Sequence, residues 1–66
     1  MKPHQVTQLK NHVLEHGFTI TTREDRLMAK IALETLLNAE IKGQVHMTRK
    51  EVERVVNMYN LIKNNL

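Results

Sequence analysis

Residues 21–42, TTREDRLMAKIALETLLNAEIK, decide how this chain must fold. At about 100° of helical rotation per residue, Met28, Ala39, Ala32, Leu36, Ala29, Leu33 and Leu37 share one broad apolar arc, and Leu27 and Ile31 fall almost opposite it. One neighbouring helix cannot cover both. A helix that is apolar on more than one side belongs at the centre of a bundle, packed between the chain on either side of it or against a second molecule. Its polar positions are few: Lys30, Glu34 and Asn38 follow one another at spacing four, giving a narrow solvated stripe and a Lys30–Glu34 pair worth about 0.3 kcal/mol.

Moving outward, the helix is punctuated on both sides. Thr21 with Glu24, or Thr22 with Asp25, has the spacing in which a hydroxyl and a carboxylate satisfy each other's backbone N–H groups at a helix start. At the other end Lys42 suits the C-terminal carbonyls, and Gly43 follows as a helix stop. The only other glycine, Gly17, closes a first helix that opens at the only proline, Pro3, and places Val6, Leu9 and Val13 on one face with Leu14 on its shoulder. Lys10, between Val6 and Leu14, is expected to carry its amine out to water.

Thr48 and Glu51 form a second capping box, and Met47 with Val52 matches the apolar staple that sets the angle at which the chain enters a helix. The helix that follows is amphipathic, with Val52, Val55, Val56, Tyr59, Ile62 and Leu66 on one face and Met58 at its edge. Leu61 stands among Glu53, Arg54, Asn57, Asn60 and Asn64 on the polar face, which makes it an ordinary exposed leucine or part of a contact. The asparagine-rich end, residues 60–65, is expected to fray. The first connector, Phe18-Thr19-Ile20, is apolar and β-branched and is expected to lay Phe18 and Ile20 into the core, and Gln44-Val45-His46-Met47 mirrors it in placing an apolar, extended stretch before a capping threonine. The reading is therefore an all-α, single-domain three-helix bundle with helices over 3–16, 22–42 and 49–64, a long central helix, and short extended connectors able to pair as a β-bridge.

Composition sets the outer limits on function. At 66 residues the chain is close to the size at which a single core only just suffices. It has no cysteine, which rules out disulfides and thiolate zinc sites and makes a reducing cytoplasm the expected compartment. Neither a signal peptide nor a membrane-spanning run can be read from it, and with its initial Met1 it reads as a complete small protein. Ten Lys and Arg against seven Asp and Glu give a net charge of +3 and a pI near 9.6, which permits an anionic partner without requiring one.

Motifs that carry chemistry are nearly missing. His12 and His16 have the i, i+4 spacing of metal ligands, but HVLEH lacks the glutamate directly after the first histidine that zinc proteases use, and His4 or His46 would have to fold close to complete a set. The four histidines are read as ordinary surface or boundary residues, with no metal and no cofactor. Serine is as absent as cysteine, and the threonines are accounted for by capping, so no nucleophile–base pair suggests itself and the chain is read as non-enzymatic. Tyr59 is read as a core residue with its hydroxyl at the rim.

Two surfaces remain as functional candidates. The first is apolar: Leu27, Ile31 and Leu61 point to a small interaction or regulatory module that binds a larger protein and self-associates, with a homodimer as the simplest arrangement. The second is basic. Lys42, Arg49, Lys50 and Arg54, with Asn57 further along, cluster around the start of the last helix, where a recognition helix presents its base-reading residues. Glu51 and Glu53 dilute that cluster, and a helix of some twenty residues followed by a five-residue connector is not a helix-turn-helix. DNA or RNA binding is therefore the alternative to protein binding.

Overall fold

The computed structural model describes residues 2–66, apart from the side chain of Pro3. Three helices follow in order: α1 over Pro3–His16, α2 over Arg23–Ile41 and α3 over Arg49–Asn64. With 19 residues at about 1.5 Å each, α2 is about 28 Å long and runs nearly the full 31 Å of the molecule's longest dimension. α3 makes the larger contact with it, and α1 leans on both.

Local chemistry sets each boundary. Thr22 caps α2: its hydroxyl accepts from the Asp25 N–H at 3.1 Å. In return Asp25 Oδ2 accepts from the Thr22 N–H at 3.3 Å, the Thr21 N–H at 3.2 Å and the Thr21 hydroxyl at 2.9 Å. Of the two boxes the sequence allows, the one formed is Thr22 with Asp25, with Thr21 as a further donor. Lys42 ends the helix, and Gly43 at φ 75° turns the chain so that its N–H reaches Glu40 O at 3.0 Å while the Gln44 N–H reaches Ala39 O at 2.8 Å. These two bonds close a Schellman motif that only a left-handed residue allows at low cost. Gly17 stops α1 differently, at φ 66° and ψ −148°, an extended mirror-image conformation open essentially to glycine. Thr48 caps α3 as expected: its hydroxyl accepts from the Glu51 N–H at 3.2 Å, and Glu51 Oε1 accepts from the Thr48 N–H at 2.8 Å.

The core is built from α2 outward. Ala29, Leu33, Leu36 and Ala39 are buried along α2, Val6 and Val13 reach them from α1, Val55 and Ile62 from α3, and Val45 and Met47 from the second connector. Phe18 and Ile20 pack against this cluster and are half-buried. The alanines let the backbones approach, and Leu33 and Leu36, fully shielded from solvent, supply the volume.

Three expectations need correction. Met28 belongs outside the core, with 65% of its surface exposed. The connectors form no β-bridge, and no strand occurs among the described residues. They lie at opposite ends of α2, too far apart to pair. Lys10 does not run out to water: its amine donates to His46 O at 3.1 Å and lies 3.8 Å from Glu51 Oε2. The last helix runs to the limit read from the sequence. It holds to Asn64 because the Asn65 side-chain amide donates to Leu61 O at 2.7 Å and the Arg26 guanidinium donates to Asn65 O at 2.7 Å, satisfying carbonyls that would otherwise be orphans.

Candidate functional site

The apolar surface follows directly from where the neighbours of α2 lie. α1 and α3 meet the sides that carry Ala29, Leu33, Leu36 and Ala39, and a third side is left in water. On that side Leu27 is 43%, Ile31 54% and Met28 65% exposed, and Ile41, one turn from Asn38, is 79% exposed. The face that sequence periodicity marks with Leu27 and Ile31 is therefore solvent-exposed, and it is larger than those two residues. Met28 and Ile41 were missed, Met28 because it was counted in the core arc and Ile41 because it lies in the last turn.

Leu61 occupies a second place, on α3. It is 66% exposed and borders a shallow groove with about 180 Å³ of room, whose other walls are Phe18, Ile20, Met58 and Ile62. The groove forms because the first connector runs beside the C-terminal half of α3 and half-buries its two apolar residues there. Leu61 was legible as an exception to the polar face, but the groove depends on a contact between residues some forty positions apart, which no local pattern reveals. A second recess of about 210 Å³, between α1 and the C-terminal end of α2, has Val6, Thr35, Asn38, Ala39, Lys42 and Gln44 around it, with Lys42 its one charged group.

The basic cluster is partly committed to the fold. Arg54 donates from Nη2 to Leu14 O at 3.0 Å, capping the end of α1. Arg49 lies 3.6 Å from Glu53 Oε1, one turn along the same helix. Glu51 turns its carboxylate to Thr48 and Lys10; the Thr48 N–H, aided by the Lys10 charge, holds it below the usual carboxylate range. Lys42, Lys50 and Asn57 are exposed, and the two lysines have no ion pair among the described residues.

The His12 and His16 rings lie tilted at 47° to each other with centroids 5.1 Å apart, and His16 Nε2 lies 3.8 Å from Glu15 Oε2. Among the described residues no three His, Asp or Glu side chains gather at a distance that would hold a metal ion. The Tyr59 hydroxyl donates to Glu34 Oε2 at 3.2 Å, and Lys30 Nζ lies 3.5 Å from Glu34 Oε1, so Glu34 is shared between α2 and α3. No helix among the described residues is long and apolar enough to cross a membrane. Compared with known protein families, curated proteins and solved structures, the chain matches none of them.

Proposed function

We propose that this chain is a small, non-enzymatic interaction module of the cytoplasm that acts by binding a larger protein and also self-associates. The observation that carries the reading is Leu61 standing in water over the groove of Phe18, Ile20, Met58 and Ile62. A leucine beside a half-filled apolar groove gains from a partner that inserts a large apolar side chain, at roughly 25 cal/mol for each Å² removed from water. The +3 charge favours acidic residues around that inserted side chain.

Nucleic-acid binding is disfavoured on the same geometry. Of the four cations expected to make a phosphate footprint, Arg54 donates to the Leu14 carbonyl, and Arg49 stands beside Glu53 in an exposed pair whose carboxylate dilutes the positive charge there.

The two readings separate in one experiment. From nuclease-treated extract the wild type is expected to retain a protein that Leu61→Asp loses and that Arg49→Ala/Lys50→Ala keeps, all three chains melting alike; the purified partner then rebinds with the same order of affinities. Tight DNA binding that weakens with salt, with a slope flattened by about two in the double variant, would replace this reading by the nucleic-acid one.

A further inference from the structure

We infer that the outer face of α2 pairs antiparallel with the same face of a second copy of this chain. The inference deepens the self-associating half of the proposed function and does not depend on the Leu61 groove. Residues 24, 28, 31, 35, 38 and 42 are separated alternately by four and three positions, which is the spacing of a coiled-coil seam. They are Glu24, Met28, Ile31, Thr35, Asn38 and Lys42; all are exposed except Thr35, which is half-buried. The seam is apolar in its first half, polar in its second, acidic at its start and basic at its end.

The charges of that seam complement each other only when one copy is reversed. About a two-fold axis level with Leu33, an antiparallel copy sets Glu24 against Lys42, Met28 against Asn38 and Ile31 against Thr35, with each pairing made twice. Leu27 and Ile41, two heptads apart on the flank of the seam, then meet each other across the axis, which gives Ile41, the most exposed large apolar residue among those described, a partner. Parallel pairing would set Glu24 against Glu24 and Lys42 against Lys42. Neither residue has an ion pair among the described residues, so both are free to serve across the contact. Glu34, which falls near the axis, is already held by Lys30 and Tyr59. The seam spans about 27 Å, a single helix pair, so a weak dimer forming at micromolar concentration is expected.

Sedimentation equilibrium of the full chain reads the association, and the register is read by charge swapping. Glu24→Lys alone and Lys42→Glu alone are each expected to weaken the dimer about tenfold, by turning two exposed ion pairs into two repulsions. The double swap should restore it. Because the chain has no cysteine, single cysteines report orientation: a mixture of Ile31→Cys and Thr35→Cys chains should cross-link to each other more readily than Ile31→Cys chains to themselves. A strict monomer at high micromolar concentration overturns the inference, as does association that ignores the charge swaps, or self-linking of Ile31→Cys that exceeds the mixed product. None of these outcomes touches partner binding through Leu61.

Discussion

Leu36 and Met28 are both large apolar residues of α2, separated by two turns and by about 80° around the helix axis. Leu36 is fully buried and Met28 is 65% exposed. Leu36→Ala is therefore expected to cost about 2–5 kcal/mol, because the packed neighbours cannot close the cavity, and Met28→Ala to stay within about 0.5 kcal/mol. Thermal melts followed by circular dichroism check both, and equal shifts would contradict the assigned core. The pair also marks how far sequence periodicity reaches. The middle of the apolar arc, Leu36, Ala29 and Leu33, is legible because any neighbour must cover it; its edge is not, since there Ala39 is buried and Met28, about 20° away around the axis, is left in water. Lys10 fails for a related reason. Its partners, His46 O and Glu51, lie 36 and 41 residues away, and only the folded chain brings them within reach.

At the level of elements the sequence is far more transparent, because capping is local chemistry. Thr22, Thr48 and Gly43 stand where their spacing puts them, and the helix limits differ from the sequence reading by one residue at each end of α2 only. Thr48→Ala should cost about 1 kcal/mol through the lost cap on α3, measured by the same melts. The two capping carboxylates predict a response to acid. Asp25 is held below its ordinary range first by the Thr21 hydroxyl and then by the Thr21 N–H, and Glu51 first by the Thr48 N–H. A carboxylate with a lowered folded-state pKa contributes stability that is complete above its unfolded value, about pH 4, and is lost as pH falls through the folded value. Melting temperature should accordingly fall as pH drops below about 4.5. Asp25→Asn/Glu51→Gln, which keeps an acceptor at each cap, should flatten that decline; an unchanged acid profile would show that other groups set it. The β-bridge fails at this scale too. Two connectors with similar composition suggest pairing, but a helix of 19 residues between them carries them to opposite ends.

At the scale of the whole molecule, two flanking helices cannot enclose a central helix that is apolar on a third side. Leu27, Ile31 and Leu61 were legible as surface candidates because each breaks the pattern of its own helix. The groove around Leu61, the exposure of Ile41 and the engagement of Arg49 and Arg54 were not, since all but the Arg49 pair depend on how elements pack against one another. The proposed self-association rests on the apolar side chains that α2 leaves in water, with Glu24 and Lys42 at the two ends of that face. Backbone amide NMR spectra, recorded from low to high micromolar protein, test that proposition most directly. The expected result is concentration-dependent shifts confined to the outer face of α2, at Leu27, Met28, Ile31, Asn38 and Lys42, with Arg49, Lys50 and Arg54 quiet. Spectra that do not change with concentration, or shifts centred on Arg49 and Lys50, would contradict it.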